Sequence, residues 1–333
     1  MKANTSPKYF EAAAPETIAT IPKNAPRKWT RRSLLRAAIR GGSGVAAATL
    51  GGVAWANKIE PERWQIERHA LSLPRLPRAF DGFTVAQLSD FHWDEEPNPE
   101  RLHAIVDAVN ALSPDLIVLT GDYVSVDPAP IFSVMSAALR RLKAREGVWA
   151  VLGNHDQHSP AAVRRMLRAG NVRELRNAVQ PLRRGQSALW LCGVDSTVHD
   201  HHDLSAVLNA LPSDLTSNSV SSTRSDAAIL LVHEPDFADI SAPLGCFDLE
   251  LSGHSHGGQV RIPAFGPLLL PSGGQKYHTG LYHLPNSSGG LTHYTTRGVG
   301  TVGLRLRFCC PPEITFLTLL ATENAQNHGE TQR

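Results

Sequence analysis

The sequence predicts an α/β domain, a β-sandwich of two packed sheets flanked by helices, on three observations. Short apolar runs alternate with stretches of helical apolar spacing from Phe83 onward. After Gly257 the texture changes to Gly, Pro and short alternating segments, and no segment repeats. Buried strands are expected at 83–89, 116–120, 148–152, 189–194, 229–232 and 249–251. Helices are expected at 99–112, 131–144 and 160–169. Pro99 and Pro160 fall in the first turn, where a missing N–H costs nothing. The later strands, 260–262, 291–296, 304–308 and 315–319, are assigned to the second sheet. The Ser/Thr/Asn-rich stretch 213–225 reads as a surface loop.

The chain has 333 residues, of which 42% are hydrophobic and 19% charged, an ordinary composition for a domain that buries a core. Its net charge of +2 is unevenly spread. Residues 1–56 hold nine Lys/Arg against two Asp/Glu, and the remainder holds 24 against 29. A mildly acidic body gives no electrostatic reason to bind nucleic acid. The four cysteines, Cys192, Cys246, Cys309 and Cys310, form no C-x-x-C pair and no disulfide framework. Cys192, inside an apolar run, reads as a small buried hydrophobe.

Paired arginines, Arg31 and Arg32, precede a Gly/Ala stretch from Gly41 to Ala56 that ends in Ala54-Trp55-Ala56. Paired Arg before a weakly apolar segment and a small-x-small terminus resembles a twin-arginine export signal. An Arg-rich amphipathic helix or a short membrane anchor is the alternative. The apolar run, 16 residues with five glycines, is short for a bilayer span. The expected organisation is a signal peptide or anchor at 1–56, a catalytic domain at 57–323 and a disordered tail at 324–333.

Chemistry is concentrated at the ends of the expected strands. Asp90 and His92 follow the first, Gly121-Asp122 the second, and Gly153-Asn154-His155-Asp156 the third. His233 follows the fifth and Gly253-His254-Ser255-His256 the sixth. The crevice beyond the carboxyl ends of strands is where open α/β sheets bind ligands, and the glycines are expected to let the backbone turn tightly. Carboxylates, an amide oxygen and imidazoles without a thiolate suit Mn²⁺, Fe²⁺ or Zn²⁺. The donors are too many for one ion and about enough for two, a pair able to clamp both sides of a phosphoryl displacement.

This ordered set, from Asp90 to His256, resembles the calcineurin-like metallophosphoesterase superfamily. The flanking segments Phe80-Asp81-Gly82-Phe83, Lys276–Tyr282 and Thr296-Arg297-Gly298-Val299-Gly300 resemble its exported YkuE-like branch. The resemblance implies that Asp90, His92 and His256 hold one metal, that Asn154, His233 and His254 hold the other, and that Asp122 bridges them. It implies hydrolysis of a phosphate ester by a metal-activated hydroxide, with a phosphodiester favoured and a cell-envelope substrate expected. A lipid-linked or nucleotide-sugar pyrophosphate is the alternative, and a catalytically inactive metal- or partner-binding protein is the rival of another class. His155, beside Asn154, suits a general acid or a donor to the phosphoryl group. Asp156 is expected to orient the site, and Arg297 is the candidate phosphate contact.

Expected partners are a phosphorylated small molecule or lipid and the twin-arginine export machinery, with peripheral membrane contact open and a periplasmic or envelope location. His199-Asp200-His201-His202-Asp203 is read as a solvated connection before a helix starting near Asp203, in preference to a further metal site. The run 265–271 reads either as an apolar lip for a lipid tail or as cover for the edge of the second sheet, the latter preferred. His103 and His158 are read as surface residues on helices.

Overall fold

A computed structural model of the chain describes residues 49–95, 97–216, 226–286 and 288–322, together with Arg32. Two units separate at Leu50, and the second, from Gly51, carries the fold. Arg31, most of the leader, residues 217–225 and the expected tail at 324–333 lie outside the described residues. Among those described, no helix is long and apolar enough to cross a membrane.

Fourteen strands are described, most of them in two six-stranded sheets. The first contains β1 (Gln65–Leu73), β14 (Glu313–Ala321), β2 (Phe83–Leu88), β3 (Leu116–Leu119), β4 (Val148–Ala150) and β5 (Arg173–Glu174), side by side in that order. The second runs β12 (Gly280–Leu284), β13 (Leu291–Thr295), β9 (Leu249–Ser252), β8 (Ala227–Leu231), β7 (Ser187–Gly193) and β6 (Ala178–Arg184). Strands β2 to β5 are mutually parallel, as are β7, β8, β9 and β13. A two-stranded ribbon, β10 (Arg261–Ile262) and β11 (Gly266–Pro267), stands apart.

The side-chain period of two explains the layering. Val85, Val118 and Trp149 of the first sheet and Ile229, Leu231 and Leu251 of the second share one core between the sheets. The intervening residues Ala86, Ile117 and Ala150 face a second core under α1 (Pro99–Ala111), α2 (Phe132–Leu139) and α3 (Pro160–Ala169). Ala228, Leu230 and Val232 face a third, with Val207 of α4 (Leu204–Ala210) and Leu215 of α5 (Ser213–Thr216). Helix–sheet–sheet–helix is therefore the architecture, and both faces of each parallel block are covered. Between the sheets, the buried Gln87 donates to Thr120 Oγ1 at 3.0 Å and to Ser252 O at 2.9 Å, tying together the strand ends that carry the site.

Several expectations shift. Strand β14 lies in the first sheet, between β1 and β2, and the second sheet already begins with β6. Segment 304–308 is not a strand; its backbone meets Val260 in a single bridge at Phe308. Helix α2 ends at Leu139 because Asn110 of α1 captures the chain beyond it, bonding Arg141 O at 2.8 Å and Lys143 N at 2.9 Å. Residues Ser213–Thr216 are helical rather than loop. Asp203 caps α4 by accepting from Ala206 N at 2.9 Å.

Candidate metal centre

The loops that leave β2, β3, β4, β8 and β9 meet at one edge of the sandwich. They assemble Asp90, His92 and His256 into one cluster and Asp122, His233 and His254 into another, with the ligand atoms of each cluster within 4.8 Å of one another. The clusters adjoin: Asp122 Oδ2 is 3.1 Å from His233 Nε2 and 3.5 Å from His92 Nε2, while Asp90 Oδ1 is 3.3 Å from His256 Nε2. All six side chains are buried.

The hydrogen bonds around the imidazoles set which nitrogen is free. His233 Nδ1 lies 2.6 Å from Thr120 O and His254 Nε2 lies 2.8 Å from Ser272 O. A carbonyl only accepts, so each of those nitrogens carries a proton and leaves the other nitrogen as the one that can face a cation. Ser125 Oγ donates to Glu95 and accepts from His92 Nδ1 at 2.8 Å, which leaves His92 Nε2 free in the same way. Asp90 Oδ2 and Asn154 Oδ1 are buried with no hydrogen-bond partner, and His233 Nε2 meets only the Asp122 carboxylate. His92 Nε2 and His256 Nε2 face each other at 3.2 Å, where one proton at most serves both. An unpaired carboxylate oxygen and an unpaired amide oxygen, converging with imidazole nitrogens that meet only one another or a carboxylate, fit divalent cations of intermediate hardness. Asn154 joins the set through that unpaired oxygen.

Electrostatics show what a cation would replace. Burial alone would raise the Asp122 carboxyl, but His233 above all, then His92 and His155, hold it well below the carboxylate range. Burial would lower His233, yet Asp122 and Asp90 outweigh it and hold its imidazole well above the usual value. Those two groups thus share a proton where the second cluster would take a metal. Burial, reinforced by Asp122, pushes Asp90 up to about 6. Burial likewise takes His92 down to about 4 and depresses His254 and His256, so these imidazoles are neutral and ready to ligate.

The backbone is cramped to achieve this. Asp90, His92, Asp122, His254 and His256 all have φ between 45° and 69°, left-handed values that cost about 1–3 kcal/mol each. Asp156 braces the turn: its carboxylate accepts from Asp122 N at 2.8 Å, Tyr123 N at 2.9 Å and Gly153 N at 2.9 Å. Gly121, at φ +98°, meets the tight turn expected of it. Gly153 and Gly253 serve close approach instead. A Cβ on Gly153 would lie 2.1 Å from Asp122 Oδ1, and one on Gly253 would lie 2.4 Å from Asp90 Oδ2.

His155 donates its backbone N–H to Asp122 Oδ1 at 2.9 Å, and its Nδ1 meets Ser125 O at 3.0 Å. Its Nε2 is then the atom able to exchange a proton. His92, Asp122, Asn154, His155, His254 and His256 line one part of a cavity of ≈ 730 Å³. The remaining wall is largely apolar, built from Val260, Leu268, Leu269, Val302, Leu304 and Leu306. Phe265 and Leu269 are 87% and 83% exposed, and the run's strand, β11, pairs with β10 in the ribbon and with neither six-stranded sheet.

Arg297 does not line this cavity, a correction to its expected role. Its guanidinium bonds Glu67 Oε1 at 2.7 Å and Pro311 O at 3.0 Å and pairs with Glu313 at 3.2 Å, three neighbours that hold it in the fold. The surrounding motif is a brace: Val299 N donates to Ser89 O at 2.9 Å and Gly300 N to Asp90 O at 2.8 Å. The buried Arg307 locks that brace by donating to the carbonyls of Arg297, Gly298, Gly300 and Cys310. Neither Arg307 nor Ser125 carries a local sequence signal, since each acts through residues distant in the chain or set by the fold. His158, His199 and His201 continue from His155 in ring contacts of 6.0, 6.2 and 6.3 Å and are exposed. Among the described residues, only the two clusters above bring three such ligands within an ion's reach. His103 is exposed on α1.

A fold of this architecture with this donor set is that of a metal-dependent phosphoesterase. The family profile described as calcineurin-like phosphoesterase matches residues 83–258, and the chain belongs to that family. It is 33% identical over 301 residues to the uncharacterized metallophosphoesterase YkuE of Bacillus subtilis, covering 89% of this chain and 99% of that protein. It is 31% identical to the phosphodiesterase YaeI of Escherichia coli, over 87% of this chain and 99% of that one. The UDP-2,3-diacylglucosamine pyrophosphatase LpxG of Chlamydia trachomatis is 27% identical, over 80% and 92%. The chain is thus a hydrolase acting on phosphoester bonds, of a family that uses divalent metals.

Proposed function

We propose that the chain hydrolyses a phosphodiester with two divalent ions, Mn²⁺, Fe²⁺ or Zn²⁺, on a cell-envelope substrate outside the cytoplasm. The observation that carries this is the pair of adjoining buried clusters, with Asp90 Oδ2 and Asn154 Oδ1 left without hydrogen bonds. Asp90, His92 and His256 would hold one ion, Asn154, His233 and His254 the other, and Asp122 both. When bound, the ions supply water activation near neutral pH and neutralise charge developing on the phosphoryl group. The rest is the chain's own work. His155 donates a proton from Nε2 to the leaving oxygen, its ring held by Ser125 O. Asp156 fixes the turn that aims Asp122, and the motif following β13 fixes Asp90. Similarity to LpxG supports a pyrophosphate linkage as the second reading. Export rests on Arg31-Arg32 before the Gly/Ala stretch; replacing both with Lys should leave the protein in the cytoplasmic fraction, and unchanged fractionation would refute the route.

The test of chemistry is hydrolysis of bis(p-nitrophenyl) phosphate and p-nitrophenyl phosphate by the metal-stripped protein with Mn²⁺, Zn²⁺ or Mg²⁺ restored. The diester should be cut faster, and Asp122→Ala should lower the rate about 10³-fold or more, the scale of losing an essential group. Faster cleavage of the monoester would overturn the diester reading, and activity surviving in Asp122→Ala would overturn the shared site.

A further inference from the structure

We infer that the apolar wall of the cavity is a hydrocarbon subsite and that its projecting rim docks on a lipid bilayer, so that the substrate is a lipid phosphodiester. This deepens the phosphodiesterase reading and rests on it. The reaction is unchanged: water adds across a P–O bond, giving a phosphomonoester and an alcohol that takes the remaining proton.

Among the described residues, this wall offers a substrate no unengaged polar side chain. Away from the metal ligands and His155, its polar side chains are Ser255 and Gln259. Gln259 is engaged at both ends, Nε2 donating to Val302 O at 3.0 Å and Oε1 accepting from Val302 N at 2.9 Å. Ser255 Oγ donates to His278 O at 2.5 Å and accepts from Gly257 N at 3.2 Å. Among the described residues, no Lys, Arg, Asp or Glu other than Asp122 lines the cavity. A sugar or nucleotide placed here would lose its hydrogen bonds to water without replacement, whereas an alkyl chain loses none.

The same apolar surface continues outward. Leu269, Leu304 and Leu268, which line the cavity, are 83%, 74% and 57% exposed, and the neighbouring Phe265 is 87% exposed at the ribbon's turn. Exposed clustering of this kind marks a surface that meets something apolar. The ribbon is a fixed element: Leu268 N donates to Val260 O at 3.1 Å, Arg261 N to Phe308 O at 2.9 Å and Phe308 N to Gln259 O at 2.9 Å.

The segment from Gly51 joins this face through hydrogen bonds. Asn57 Nδ2 donates to Arg305 O at 2.8 Å and Arg307 N to Ala56 O at 2.9 Å, beside Leu304 and Leu306. That segment exposes Val53, Trp55 and Ile59, with Lys58 exposed among them and the Arg63 guanidinium over the Trp55 ring at 5.5 Å. Apolar and aromatic side chains interspersed with cations match the boundary of an anionic leaflet. A bilayer occupant satisfies both features: tails lie along the wall and the phosphodiester reaches the metal ligands.

Two measurements on the full, Mn²⁺-loaded chain test this. The first is hydrogen–deuterium exchange with and without phosphatidylethanolamine–phosphatidylglycerol vesicles. Amides in 53–59 and 262–270 should slow by about tenfold; no slowing there, or slowing confined to residues 1–50, overturns docking. The second compares ethyl and decyl p-nitrophenyl phosphate, which share a scissile bond. The decyl ester should be favoured about tenfold or more in kcat/KM, and Leu269→Asp should bring the ratio near one. Equal rates in the unaltered protein, or a ratio indifferent to Leu269→Asp, overturns the subsite. If neither ester is cut, the phosphodiesterase reading fails, and the vesicle measurement still decides docking.

Discussion

The cavity has two walls built on opposite principles. One is backed by the candidate metal ligands, which are gathered from five strand ends and buried, five of them in left-handed backbone. The other consists of aliphatic side chains from 259–270 and 302–306, bonded through backbone and largely exposed at the rim. The polar wall tolerates almost no shift in position, because each donor must meet a common point. The apolar wall tolerates many shifts, because hydrophobic contact has no direction. Positional precision is therefore concentrated on one side of the cavity and latitude on the other.

Adding a single methyl group to the polar wall is the sharpest way to break this contrast. Gly253→Ala would put a Cβ 2.1 Å from Ser89 Oγ and 2.4 Å from Asp90 Oδ2, displacing the carboxylate of the first cluster. Activity should fall about 100-fold or more, with one of two ions lost by elemental analysis, since misplacement of about 1 Å is that costly. Two retained ions with ordinary turnover would show the polar wall to be more forgiving than its packing. His155→Ala should cost about 100-fold in kcat with the ion content unchanged. A loss of metal in that variant would recast His155 as part of the cation site.

The two walls also differ in how far the sequence revealed them. Residues of the polar wall follow apolar strands immediately, so Asp90, Asp122, Asn154, His233 and His254 could be placed from local pattern and from resemblance to a family. The apolar wall is made of Leu and Val, which every core also uses, and its position depends on Gln259 meeting Val302 across 43 residues. The strand expected at 304–308 failed for a related reason. Its apolar spacing fits a strand, but Arg307 turns the segment inward onto four carbonyls, a contact that local periodicity does not encode. Strand β14 read correctly as a strand and wrongly as a member of the second sheet, because pairing partners are not local.

Within the polar wall, the two clusters should respond differently to pH. In the metal-free protein Asp90 is held up at about 6 and His92 down at about 4. Between those values His92 is neutral but Asp90 is protonated, so an ion entering the first cluster must expel a proton. Affinity there should fall about tenfold per pH unit below about 6 and level off above it. The sign for stability is opposite: a carboxyl raised above its unfolded value favours folding at low pH, and that contribution is lost as pH rises through about 6. His233 is held above its usual range by Asp122, so the second cluster should still be tightening above neutral pH. Calorimetric titration with Mn²⁺ across pH 5 to 8 resolves the two sites; a common pH dependence would dissolve the distinction.

The smallest expected effect on hydrolysis comes from Arg297, the candidate phosphate contact in the sequence, which the structure pairs with Glu67 and Glu313. Its aliphatic stem packs beside Gly257, so Arg297→Met keeps most of the packing and removes only the charge. Glu313 is 1% exposed and retains Tyr294 Oη and Thr315 Oγ1, each at 2.6 Å. Removing its cation should destabilise the fold by about 1–3 kcal/mol, read as a lower thermal midpoint, while kcat/KM stays within about twofold, the scatter expected where no transition-state contact is lost. A tenfold loss of kcat/KM at unchanged stability would return Arg297 to the substrate and move a cation onto the polar wall.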